Sequence, residues 1–122
     1  MIKVLIIDDS WIARLKIGEI VKSAGYEVLE AGSGEEGLAL VEKENPHVLL
    51  LDLLMPGLSG HDVLQALGKQ QSVIPVIIIS ADIQETTRAE CLRSGAAAFV
   101  NKPPKRDVLL SEIQNALDRN SS

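Results

Sequence analysis

Apolar residues fall along this chain in short runs, the first interrupted only by Lys3, separated by helical patterns. Four runs stand out: Ile2–Ile7, Val48–Leu51, Val76–Ile79 and Ala98–Val100, and a shorter, more polar fifth lies at Glu27–Ala31. They lack the apolar–polar alternation of a half-exposed sheet, so they predict parallel strands covered on both faces. Between the first two strands, Ala13, Ile17, Ile20, Val21 and Ala24 share one helical face, with Ser10 placed to cap the helix and Gly25 to end it. Glu35 to Glu44 predicts the next helix, patterned weakly around Leu38 and Val41 and stopped by Pro46. The loop Met55-Pro56-Gly57-Leu58-Ser59-Gly60 leads into a short helix over Val63, Leu64 and Leu67. Gln84 to Arg93 is a fourth helix, poor in apolar residues and closed by Gly95, and the last helix aligns Leu109, Ile113, Ala116 and Leu117. Asn120, Ser121 and Ser122 are expected to form a frayed polar tail.

Strands alternating with helices make βαβ units. Right-handed crossovers and short connections leave few arrangements for five such units, and the leading one is a doubly wound, three-layer α/β fold of flavodoxin-like strand order 2-1-3-4-5 with five helices. The expectation is a single domain over residues 1–122, long enough to bury a core without disulfide or metal staples. Trp11, Tyr26 and Phe99 are the only aromatics, so that core must be aliphatic. A net charge of −5 argues against nucleic-acid binding, which needs a basic face. No apolar stretch reaches the length of a membrane span and no signal-peptide pattern opens the chain, so the expected location is cytoplasmic, without membrane insertion. Cys91, the lone cysteine, has no metal-ligand partner nearby and is read as a small, half-buried residue.

The chemistry gathers at the strand ends. Asp8-Asp9, Asp52, Ser80 and Lys102 each follow a strand, and the strand order 2-1-3-4-5 brings those C-terminal ends to one crevice. Three carboxylates side by side repel one another, and a hard divalent cation relieves the conflict. Mg2+ (or Mn2+) uses one or two carboxylates and leaves positions open to water and phosphoryl oxygens. Lys102 is suited to pair with a phosphoryl oxygen as a point charge, and Ser80 to donate to another. Asp52, alone at the end of the central strand, is the natural nucleophile, with Asp8 and Asp9 on the metal.

With Met55-Pro56 and Gly60 after Asp52, and Pro103 after Lys102, this ordered set resembles the receiver domain of two-component response regulators over essentially the whole chain, most nearly a stand-alone CheY-like receiver. The resemblance implies that Asp52 accepts a phosphoryl group from a sensor histidine kinase. It implies that Asp9, Asp52 and the main-chain carbonyl of Leu54 bind the metal directly, that Asp8 acts through water, and that Lys102 and Ser80 contact the phosphoryl group. It further implies a cis Lys102-Pro103 bond. In such a switch Ser80 moves toward the phosphate, Phe99 turns inward, and the surface of the fourth helix, fifth strand and fifth helix binds a downstream target, with a phosphatase to reset it. The protein is then a phospho-acceptor and no enzyme in the ordinary sense, though autophosphorylation from small phosphodonors and autodephosphorylation are expected.

Several positions particularise the pattern. Ser80 lacks the methyl group of the commoner threonine, which loosens its coupling to Phe99. By the resemblance, Leu54 and Asp82 face the phosphoryl group and tune its lifetime. Leu54 is apolar and cannot orient an attacking water, so slow self-dephosphorylation is expected. Pro104 suits the first turn of a helix. Trp11 at the crevice rim has two readings, a partner contact or a partly exposed helix start. His61 is read as a solvated surface residue, His47 as structural, and Gly32-Ser33-Gly34 as a turn, since it lacks the lysine of a P-loop. Arg14, Arg88 and Arg93 are read as solvated helix-face charges, the last two near the partner surface. Three alternatives remain: a receiver-like docking module that is not phosphorylated, a Mg2+-dependent aspartyl phosphohydrolase, and a flavodoxin. The phosphohydrolase would want Asp-x-Asp after the first strand and a cap region. The flavodoxin would want a Gly- and hydroxyl-rich loop where this one is acidic.

Overall fold

The structure, a computed structural model, describes residues 1–121. Ten elements alternate along the chain: β1 (Lys3–Ile7), α1 (Trp11–Ser23), β2 (Glu27–Ala31), α2 (Gly34–Glu44), β3 (Val48–Leu51), α3 (Gly60–Lys69), β4 (Val76–Ser80), α4 (Glu85–Arg93), β5 (Ala98–Asn101) and α5 (Arg106–Ser121). The strands form one parallel sheet in the order β2-β1-β3-β4-β5.

The apolar runs follow from cover on both faces. Leu5, Ile7, Leu49, Leu51 and Ile78 point to one side, where they meet Val41 of α2, Val63, Leu64 and Leu67 of α3, and Cys91 of α4. Their neighbours Val4, Ile6, Val48, Leu50, Ile77 and Ile79 point to the other, against Ile17 and Val21 of α1 and Leu109, Ile113 and Ala116 of α5. Each fully buried Leu or Ile contributes about 1.5–3 kcal/mol. Cys91, expected half-buried, is fully buried.

Serines start three helices. Ser10 Oγ accepts from Ala13 N–H, Ser33 Oγ from Glu36 N–H, and Ser59 and Asp62 bond reciprocally as a capping box. The turn expected at Gly32-Ser33-Gly34 thus also caps α2, which starts at Gly34, one residue early. It ends on Asn45 in the left-handed region (φ 49°), ahead of the expected stop at Pro46. Gly25 (φ 91°) and Gly95 (φ 108°) turn the chain after α1 and α4. His47 is structural, its Nδ1 accepting from Lys3 N–H at 3.0 Å. The expected tail is helical through Ser121, while Ser122 lies outside the described residues.

Candidate functional site

Register places the chemistry. Ile7 and Leu51 are lateral partners that end β1 and β3, so Asp8 and Asp52 leave the sheet side by side, while β4 runs two residues past Ile78, the partner of Leu51, to end on Ser80. Asp52 N–H donates to the Ile7 carbonyl at 2.9 Å, and Lys102 N–H donates to the Ser80 carbonyl at 2.8 Å. The loop after Asp52 is clamped by Gly60, whose N–H donates to the Leu53 carbonyl at 2.9 Å. A Cβ at Gly60 would overlap the Asp52 carbonyl oxygen and stand 2.7 Å from Leu53 Cα, so only glycine permits this approach.

Asp8, Asp9 and Asp52 each bring a carboxylate oxygen within 4.8 Å of the others. At that separation each like-charge pair is worth on the order of 3 kcal/mol at the effective dielectric of a protein surface. Asp8 and Asp52 are buried and Asp9 is exposed. Lys102 answers part of the charge, with Nζ 2.6 Å from Asp8 Oδ2 and 3.7 Å from Asp52 Oδ1. Asp8 Oδ1 also accepts from Ser10 N–H at 2.9 Å. Burial, then the Asp8 charge, push the Asp52 carboxyl above its ordinary pKa, with a smaller push from Asp9; Lys102 and the Leu54 N–H pull against them. Three clustered oxygen donors with one lysine counter-charge fit a hard divalent cation: an uncompensated carboxylate excess remains, and oxygen is the ligand such ions take. The Lys102-Pro103 peptide bond is cis.

Ser80 is fully buried at the adjacent strand end, and its Oγ accepts from Asp82 N–H at 3.1 Å. Asp82 is occupied by the β4–α4 turn: Oδ1 accepts from Gln84 N–H at 2.9 Å and Oδ2 from Thr87 Oγ1 at 2.8 Å. Those two donors, in that order, hold its pKa below the ordinary value. Leu54 is 71% exposed and Trp11 is 64% exposed. Phe99 is already inward, 8% exposed among Ile78, Ala96 and Cys91. Its outer edge and Asn101, Arg88, Lys105 and Val108 line a cleft of about 330 Å³.

Arg14 overturns an expectation. It is no solvated helix charge: its side chain is 18% exposed, Nε pairs with Glu30 Oε1 at 3.0 Å, and Nη1 donates to the Asp8 carbonyl. The signal was present in the spacing. Arg14, Ile17, Gly18 and Val21 fall at i, i+3, i+4 and i+7, so Arg14 continues the buried face of α1. Arg93 is solvated as expected, and Arg88 is half-exposed in a 4.0 Å pair with Glu85 beside the Phe99 cleft.

Comparison with known proteins agrees with this geometry. A family model for the response regulator receiver domain matches residues 4–114. Protein PilH of Pseudomonas aeruginosa is 38% identical over 119 residues, which cover 96% of this chain and 98% of that protein. The receiver domain of the Francisella response regulator 1452 superposes with a TM-score of 0.93 at 32% identity, covering 98% of this chain and 99% of the other. The chemotaxis protein CheY4 of Vibrio cholerae does so with a TM-score of 0.89 at 30% identity, over 96% and 99%. The chain also spans about half the length of several longer curated relatives. Strand order, acidic strand ends and a family match over nearly the full length converge, and the chain belongs to the family of response regulator receiver domains.

Proposed function

We propose that this receiver is a phosphorelay switch in which Asp52 takes a phosphoryl group from a sensor histidine kinase. The observation that carries the reading is the buried Asp52 carboxylate, within 4.8 Å of two other carboxylates and 3.7 Å from the Lys102 ammonium. Asp9, Asp52 and the Leu54 carbonyl would hold Mg2+ or Mn2+, with Asp8 acting through water. The ion, when bound, neutralises the acidic cluster and the charge on the phosphoryl oxygens. An Asp52 oxygen bonds to phosphorus as the P–N bond of a phosphohistidine breaks and the imidazole departs. Lys102 pairs with a phosphoryl oxygen. Ser80 exchanges its bond to the Asp82 N–H for one to the phosphoryl group. Phe99, already inward, then repacks where Ser80 has moved, and the face of α4, β5 and α5 changes for a target protein.

Likeness to PilH and to a chemotaxis protein supports a signalling role, in chemotaxis or a related pathway, that works by protein binding. A phosphatase would reset it, in the cytoplasm where the kinase donor lies. No described helix is long and apolar enough to cross a membrane.

Incubation with Mg2+ and acetyl phosphate should add one phosphoryl mass to the native chain and none to Asp52→Asn. An adduct that persists in Asp52→Asn, or none on the native chain, sinks the reading, as does continuous turnover of phosphate esters. Leu54, apolar and exposed beside the acceptor, offers no group to orient a hydrolytic water, and Asp82 is held in its turn. The purified phosphoprotein is therefore expected to lose its label over minutes or longer, followed by intact mass after donor removal. A lifetime of seconds contradicts this.

A further inference from the structure

Asp9 is the exposed member of the acidic trio, and among the described residues its carboxylate makes no hydrogen bond or ion pair. With no side-chain partner to hold it, Asp9 is placed by its backbone, which fixes the point from which the carboxylate reaches the cluster. That backbone is the peptide joining Asp8 to Asp9, and planarity makes the direction of the Asp8 carbonyl and the placement of Asp9 a single variable. Arg14 holds that carbonyl. Its Nη1 donates to the Asp8 oxygen, while Nε is anchored on Glu30 Oε1 at 3.0 Å. Glu30 lies on β2 beside Ile6 of β1, and the Asp8 N–H donates to the neighbouring Ala31 carbonyl at 3.1 Å. The guanidinium lies close against Gly32, where even a Cβ would stand 3.4 Å from Nη1. A rigid, planar fork thus bridges the end of β2 to the peptide between the two aspartates.

We propose that Arg14 is a positioning residue for the divalent cation: by fixing the Asp8–Asp9 peptide it presents the Asp9 carboxylate to the metal. This rests on the metal reading above. Two effects of removing Arg14 have opposite signs, which makes the idea testable. As a nearby positive charge, Arg14 repels a cation, so its loss would tighten metal binding. As the holder of a ligand's backbone, its loss should weaken binding about 10-fold or more, as for other groups that orient metal ligands.

The test is Mn2+ binding to the full chain, counting free ion by electron paramagnetic resonance, with Mg2+ competition and melting curves in chelator alongside. Arg14→Met is expected to weaken Mn2+ binding at least about 10-fold, and Arg14→Lys, which keeps the charge and one donor, to recover part of the loss. A role confined to the fold would lower the melting temperature in chelator and leave the dissociation constant unmoved. Unchanged or tighter binding by Arg14→Met overturns the proposal. Should that variant fail to fold, Arg14→Gln, neutral and of shorter reach, is read by the same criterion. Native protein that binds no Mn2+ defeats the metal reading and this proposal with it. Native binding with unaltered variants defeats this proposal alone.

Discussion

Burial and the Asp8 charge hold the Asp52 pKa above its ordinary value, and Lys102 and the Leu54 N–H offset only part of that push. Between the unfolded and folded values the native chain therefore binds more protons, so stability falls as pH rises through that window and the loss is complete above it. Asp52→Asn removes the penalty. In chelator at pH 7 it should melt above the native chain, because the folded state no longer holds a buried carboxylate beside the Asp8 charge. The gain should fade as pH drops toward the ordinary carboxylate range, and thermal scans from pH 3.5 to 8 check both parts. An Asp52→Asn melting point at or below the native one would contradict this account. Gly60 makes an independent prediction, because a Cβ there meets the Asp52 carbonyl oxygen and Leu53 Cα. Gly60→Ala should lower unfolding free energy by about 1–3 kcal/mol and slow labelling by acetyl phosphate, read by urea unfolding and intact mass. The acidic strand ends were legible as residues because their types stand at the ends of apolar runs. For Arg14 the spacing showed the buried face of α1 but not the partners on it, the Asp8 carbonyl and Glu30, which lie on other segments.

At the scale of elements, α4 stands apart. Cys91 is its only buried residue, and its N-cap Gln84 makes no side-chain capping bond. Its first turn is held by Asp82, through Gln84 N–H and Thr87 Oγ1. The pKa of Asp82 is lowered, so this support is present above the ordinary carboxylate value and is lost as pH falls through the folded value. Asp82→Ala should therefore speed amide exchange in the first turn of α4 at pH 7 while leaving α2, capped by Ser33, unchanged. Native protein at acid pH should show the same selective fraying. Equal exchange in both helices, or none in α4, counts against Asp82 as its anchor. Element type was readable throughout, because a helix and a doubly covered strand impose different apolar periods. Boundaries moved by a residue at Gly34, where the Ser33 cap decides the start, and at Glu85, where the Asp82 turn does.

For the whole molecule, stability rests on two aliphatic layers, one on each side of the sheet. Ile78→Ala on one face and Leu50→Ala on the other should each reduce unfolding free energy by about 2–5 kcal/mol, measured by denaturant titration with an unchanged slope. A loss confined to one face would mean that the other helices are not part of the cooperative unit. The sequence alone determined the alternation of strand and helix, the two-sided burial of the strands and the residues at their ends, because these depend on periodicity and on neighbours along the chain. Strand order was narrowed by the handedness and shortness of connections, which are near-local rules. Only the tertiary structure decided which way individual side chains face and what they touch. Asp82 is spent on its own turn, Phe99 already lies inward, Gly60 is pressed on the Asp52 backbone, and Arg14 of α1 joins Glu30 of β2 to the Asp8 carbonyl. Those contacts join segments distant in sequence or depend on rotamers, and a linear pattern of residue types carries neither distance nor rotamer.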